Sequence, residues 1–249
     1  MIAYLKSENY RFLRKKNFYM ISIACFSLLI AAGSLLRFFG RTESTFPYAN
    51  AKFFYTNVVS AGGIILFVAL LVNLILTGND CQVLKQSISF GLSRKKIFLT
   101  KLSVTMGYFL GLCLLGIGTT VLVGELLFPY EAHVLTAYML SLVNMAPLII
   151  SGFILAHSLM MLGVKEIIIC GILIFIYSLS DTLLIFLSNY IDFVKMIADY
   201  APSTLLTTNL NQFMSLTTSF NGTAWLVGVI LSCVALIVGM KQFEKKSIV

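Results

Sequence analysis

Six stretches of the chain are almost uninterruptedly apolar, at approximately 18–36, 58–76, 102–128, 134–162, 166–187 and 224–240. About 20 apolar residues wound as a helix cover the roughly 30 Å hydrocarbon core of a bilayer. In hydrocarbon every backbone N–H and C=O must be paired within the protein, so such segments are confined to helices. The expected fold class is therefore an all-α polytopic membrane protein with six transmembrane helices. Composition closes the alternative. With 59% hydrophobic residues, 11% charged residues and a mean hydropathy of +0.93, there is too little polar surface to coat a soluble globule. Six spans account for the 249 residues as one transmembrane domain, 1–249, with no separate soluble domain.

The loops give an orientation. With the N-terminus inside, the inner segments hold Lys6, Arg11, Arg14, Lys15, Lys16, Lys85, Arg94, Lys95, Lys96, Lys101, Lys165, Lys241, Lys245 and Lys246, leaving Arg37, Arg41, Lys52 and Lys195 outside. Fourteen against four is a strong positive-inside bias, which predicts that both termini are cytoplasmic. The net charge of +8 thus reads as membrane orientation, not as a nucleic-acid footprint. Trp225 and Tyr55 are expected at the outer interface, where amphipathic rings are favoured. Residues 1–16 place Ile2, Leu5, Phe12 and Leu13 roughly on one helical face beside five cations. This pattern predicts an N-terminal interfacial helix on membrane lipids. No small-residue cleavage site follows the first apolar run, so the segment is expected to be retained.

Several chemistries are missing from the sequence. No G-x-x-x-x-G-K-[ST] occurs, so the chain is not expected to hydrolyse ATP or to act as an enzyme by itself. No H-E-x-x-H occurs, and His133 and His157 are the only histidines, which argues against a zinc site. Of Cys25, Cys81, Cys113, Cys170 and Cys233, four lie inside apolar runs and no two have metal-ligand spacing; they read as small apolar fillers.

The longest polar interruption on the inner side is Asp80 to Lys101, DCQVLKQSISFGLSRKKIFLTK. Asp80 can cap a short helix carrying Val83, Leu84 and Ile88, and Gly91 can end it in the left-handed conformation. Ser93 can cap the next helix, with Arg94, Lys95 and Lys96 in its first turn. Cations there oppose the helix dipole by a few tenths of a kcal/mol, which suggests that they serve something outside the helix.

This loop, with its acidic residue just inside the second span, then Ser89-Phe90-Gly91-Leu92-Ser93-Arg94 and Lys101 seven residues on, resembles the first cytoplasmic loop of ABC exporter permeases of type 2. Asp80 stands where that family more often has Glu. The resemblance implies a short cytoplasmic coupling helix that docks on a cytoplasmic ABC ATPase subunit. It also implies an N-terminal helix touching that subunit, and a pathway completed by a second permease copy or a homologous permease. ATP and Mg would be bound by the ATPase, with no cofactor on this chain, and the location would be the bacterial cell membrane. The docking residues it implies are Asp80, Val83, Leu84, Ile88, Gly91, Ser93 and Arg94.

Within the spans, Ser103, Gly107, Gly111 and Gly118 share one face of the third, which could let another helix approach closely, one of the same subunit in preference to one of a second copy. Pro147 is expected to kink the fourth span, with Asn144 satisfying a freed backbone group. His157 reads as a hydrogen-bonded packing residue rather than a proton relay. Asp181, about 22 Å from the inner end of the fifth span, lies either on the transport path or close enough to the outer surface to reach water or Ser180. Residues 188–223 contain a short amphipathic helix around 191–198 and a break at Pro202. The resemblance makes this segment, with Tyr200 and Pro202, an outer gate; a simple surface loop is the alternative.

The function these features favour is a permease subunit of an ATP-driven exporter of an amphipathic or antimicrobial peptide, or of another hydrophobic compound. Outer Glu43, Glu125, Glu131, Asp181, Asp192 and Asp199 exceed the four outer cations by two, which would not repel a cationic peptide. The alternatives are an ATP-independent carrier or channel, and a membrane immunity protein that sequesters a toxin. The orientation is directly testable: a green fluorescent protein fused to the C-terminus should fluoresce in cells, and an alkaline phosphatase fused there should be inactive. The reverse pattern would overturn the charge argument.

Overall fold

The computed structural model describes residues 2–43, 46–77 and 81–246. These form twelve α-helices in chain order: α1 (Ile2–Leu13), α2 (Lys16–Thr42), α3 (Ala51–Ser60), α4 (Gly62–Thr77), α5 (Cys81–Ser89), α6 (Arg94–Leu127), α7 (Ala132–Met161), α8 (Glu166–Ile174), α9 (Ser180–Ser188), α10 (Asp192–Ala198), α11 (Pro202–Met214) and α12 (Gly222–Lys245). A single π-helical turn, Phe175–Leu179, joins α8 to α9. There is no strand among the described residues. Five helices, α2, α6, α7, the continuous Glu166–Ser188 and α12, are long and apolar enough to cross a bilayer. Together α3 and α4, bent by 52° at Ala61, pass the same length and hydropathy test and make a sixth if the bent pair is one span. The chain is an integral, polytopic, all-α membrane protein.

Local chemistry sets the helix ends. Asn50 starts α3 by accepting the Phe53 N–H at 2.7 Å, and Asn221 starts α12 by accepting that of Ala224 at 3.1 Å. Gly91, at φ +81°, closes α5: the Gly91 and Leu92 amides donate back to the Ile88 and Ser87 carbonyls, and Leu92 turns inward onto the core. Helices α2 and α12 reach past both ends of the spans expected for them and α6 starts well before its own, because their polar ends continue the backbone ladder beyond the hydrocarbon.

The centre of the bundle is α7, which packs against α12, α4, α11 and α3. Its closest neighbour is α12. A Cβ at Gly228 would lie 2.6 Å from the Pro147 carbonyl carbon, and one at Gly239 would collide with Ser158, so both glycines allow the backbones to approach. Ser158 donates to the Ala235 carbonyl across this seam at 2.9 Å. The Pro147 ring is accommodated by Gly228, and α7 continues through it as one helix.

Three expectations are corrected by this packing. The Ser103, Gly107, Gly111 and Gly118 face of α6 is not a close-packed seam: a Cβ at any of its three glycines would meet no described atom within 4 Å, and Ser103 and Gly107 border an open pocket with Leu5 and Asn9 of α1. Tyr55 is not an interfacial ring. It is 1% exposed, stacked on Tyr138 with centroids 4.5 Å apart, because the bend at Ala61 turns α3 into the bundle. Asn144 serves the far end of the chain rather than its own helix. Its amide nitrogen donates to the Ser219 carbonyl at 2.8 Å and to Asn209 Oδ1 at 3.2 Å, and its oxygen accepts the Asn221 N–H at 2.9 Å. His157 has the packing role expected. It is fully buried, and because Asn73 Nδ2 donates to the Ala69 carbonyl, Asn73 Oδ1 faces His157 Nδ1 at 2.9 Å and accepts its proton.

Contrasting glycine variants test which seam holds the bundle. Gly228→Leu should destabilise the detergent-solubilised protein by about 1–3 kcal/mol or more through overpacking. Gly111→Leu should change stability by less than about 0.5 kcal/mol. Thermal unfolding of the two, side by side, checks the assignment; equal losses would contradict it.

Candidate functional site

The departures from regular helix gather in one place. The amide of Ala61 reaches the Val58 carbonyl, one residue too tight for an α-helix, and the chain swings into α4. Across from it runs the π turn at Phe175–Leu179, whose wider hydrogen-bonded loops re-aim the residues that follow. Between these irregular segments lies a groove of about 490 Å³, open along one side of the bundle. Ile64, Phe67, Leu70, Leu173 and Ile174 line its lower part, and Ser60 and Ser178 its upper part. Gly63 lets the walls close: a Cβ there would stand 3.1 Å from Ser178 Oγ.

One turn beyond Ser178 stands Asp181, the first acidic residue of α9. Its Oδ1 accepts the Thr182 amide at 2.7 Å and its Oδ2 accepts the Thr207 hydroxyl of α11 at 3.1 Å. No ion pair to this carboxylate occurs among the described residues. Ser180 donates to the Ile176 carbonyl at 2.8 Å, so its proton is used, and Ser203 of α11 donates to it at 2.6 Å. Two polar contacts thus fasten α11 to the π-bulged span.

The chain around α11 folds back on itself. Packed against α9 is α10, and Pro202 then starts α11 beside Ser180, well below the end of α9. From there α11 rises along α7 until Phe213 meets Tyr138. Residues 192–214 therefore form a helical hairpin that dips into the bundle, with Leu206 facing the Ala61 bend across Gly62. Pro202 supplies the fixed φ of the first helical position, and Tyr200 in the connecting turn is exposed.

At the other end, which carries most of the cations, α1 is locked to the bundle by buried charge. Glu8, 1% exposed, accepts two bonds of 3.0 Å from the Arg11 guanidinium and lies 3.6 Å from Lys101 Nζ. Lys101, fully buried, also donates to the Leu76 carbonyl at 2.7 Å, joining the start of α6 to the end of α4. Phe12 stacks on Tyr108 at 4.1 Å, and Tyr108 donates to Asn9 Oδ1 at 2.6 Å. Burial first, then the adjacent Glu8 carboxylate, push the Tyr4 phenol above its ordinary range, keeping it neutral beside Glu8. Leu5 and Leu13 stay exposed on α1.

The expected docking residues are placed unevenly. Asp80 lies outside the described residues. Leu84 and Ile88 are half-buried and pack on the core, and Val83 is half-buried with its carbonyl bonded to Ser87 Oγ. Gly91 has the left-handed conformation expected of it. Ser93 precedes α6 without a side-chain capping bond. Arg94 is engaged within the chain, donating to the Glu244 carbonyl at 2.7 Å and to that of Lys246. Glu8 and the groove were not anticipated. The available signal for the first was the lone Lys101 in the apolar run IFLTKLSV, which needs a buried anion; nothing local marks the second.

No protein-family model matches the chain, and no curated protein matches it.

Removing one member of a buried charge cluster leaves its partner uncompensated. Lys101→Met should cost about 3–5 kcal/mol of stability, and Lys101→Met with Glu8→Gln less than the sum of the single changes. Unfolding in detergent across the four proteins measures the coupling; strict additivity would contradict the proximity of Glu8 and Lys101.

Proposed function

We propose that this chain is the membrane-spanning half of a transport pathway, driven by a separate cytoplasmic ATPase that docks on the 80–101 loop. The observation that supports it most is the groove. Ser60 and Ser178 are exposed on the outside of a single chain, at a depth where hydrocarbon would surround them, and Asp181 stands one turn away. Polar and ionisable groups at that depth belong against protein or water. A second copy, or a homologous chain, facing this side would enclose a path that is apolar below and hydroxyl-lined above, ending at carboxylates. Such a path suits an amphipathic solute with a positive charge, including an antimicrobial peptide. The dipping α10–α11 hairpin, held by Asp181 and Ser180, would be the outer gate. Coupling would run from the loop through α6 to Lys101 and α4, whose upper end is the bend at the groove.

One observation favours a second reading, an ATP-independent carrier. The two irregular spans are the second and the fifth, corresponding members of two three-span halves, and broken helices at matching places are a mark of such carriers. Inside-out vesicles separate the two. The first reading expects uptake of a cationic amphipathic peptide that needs ATP and the ATPase subunit. It also expects Asp181→Asn to reduce uptake about tenfold or more while preserving ATPase binding. Uptake driven by an ion gradient without ATP would establish the carrier instead. In the same vesicles, Ser178→Cys in a chain whose native cysteines are replaced by alanine should react with a water-soluble maleimide; inertness would remove the wet path.

A further inference from the structure

The geometry points to Phe90 as the aromatic anchor by which the inner loop seizes its soluble partner, inserted into an apolar pocket rimmed by carboxylates. This rests on the ATPase-driven reading and moves the point of attachment within the loop. The face expected to dock, Leu84 with Ile88, is turned onto the core of the chain itself, and Arg94 is occupied by the carbonyls of Glu244 and Lys246. Phe90 is left outside. At 84% it is the most exposed of the described large hydrophobic side chains.

Its position is built by the fold. The Phe90 amide bonds the Gln86 carbonyl at 3.0 Å as α5 ends, and Gly91 takes φ +81°. Leu92 is thereby sent inward while Phe90 is held at the outer corner of the turn. A rigidly presented aromatic ring loses little conformational freedom on binding, which is why such side chains dominate interfaces.

Depth and charge select the occupant. Lys101 is level with the Leu76 carbonyl at the end of α4, and Arg94 begins α6 seven residues earlier, about 10 Å further along its axis. Phe90 precedes Arg94, so it stands beyond the end of the spans, where a protein reaches it more readily than acyl chains do. Of the cations around it, Lys85, Lys95 and Lys96 are exposed, Lys95 lying 3.4 Å from the Glu244 carboxylate, whereas Lys101 is buried and Arg94 is occupied within the chain. The complementary surface is an acidic-rimmed apolar pocket on a soluble subunit.

The test uses the full chain co-expressed with candidate ABC ATPase subunits of the same organism, comparing wild type, Phe90→Leu, Phe90→Ala and Phe90→Asp. Because Phe90 supports no packing within the chain, all four should unfold at the same temperature. Retention of the ATPase should fall about tenfold or more in Phe90→Ala and Phe90→Asp, with Phe90→Leu partly restoring it. A benzophenone side chain placed at position 90 should give a light-dependent adduct with the ATPase. Undiminished retention by Phe90→Asp, or adducts with lipid alone, would overturn the anchor while leaving the transport reading standing. Failure of the wild-type chain to retain the ATPase at all would overturn both.

Discussion

A backbone amide or carbonyl left unpaired in hydrocarbon costs several kcal/mol, so every departure from the helical ladder in this protein must be compensated by a neighbour. The compensations can be traced. Where α3 breaks at Ala61, α11 lays Leu206 against Gly62, and Ser60 returns its hydroxyl to the Asn57 carbonyl. Where the fifth span widens into a π turn, Ser180 takes up the Ile176 carbonyl and is itself held by Ser203. The start of α12 and the loop before it are met by the side chain of Asn144, about three turns inside α7 from its nearer end. At two of these three places a second element adds a polar contact, Ser203 of α11 on the fifth span and Asn144 of α7 on the start of α12.

At the opposite end the governing interaction is electrostatic. Lys101 is carried into an apolar setting by the helix that contains it, and an ammonium there requires acceptors at close range. It finds the Leu76 carbonyl and the Glu8 carboxylate, and in doing so makes α1, the end of α4 and the beginning of α6 one mechanical unit. Arg94 does the same for the end of α12. A push delivered to the loop between α4 and α6 would therefore move four elements together rather than bend one. This is the physical content of the coupling proposed above.

Much of the architecture was legible in the sequence because bilayer thickness and helix rise fix segment length without reference to neighbours. The six apolar segments, the short helix after Asp80, its termination at Gly91, the helix at 192–198 and the new start at Pro202 all follow from local chemistry. Residue roles were less legible. The small-residue face of α6 has the same spacing as a packed seam, yet the seam that closes lies at Gly228 and Gly239, because Pro147 and Ser158 happen to oppose them. Tyr55 has the amphipathic chemistry of an interfacial ring, but a 52° bend places it against Tyr138.

The sequence by itself determined that this is an all-helical membrane protein, where its spans lie, and that cations concentrate in the segments assigned to one side. These are properties of each segment's own hydropathy, length and caps, which are summed residue by residue. Only the tertiary structure decided which polar residues became partners and which were left facing outward. Glu8 meets Lys101 across 93 positions and Asp181 meets Thr207 across 26, while Ser178 and Phe90 are exposed because nothing among the described residues covers them. Such pairings depend on the orientation of whole helices, a collective outcome of packing that no local stretch encodes.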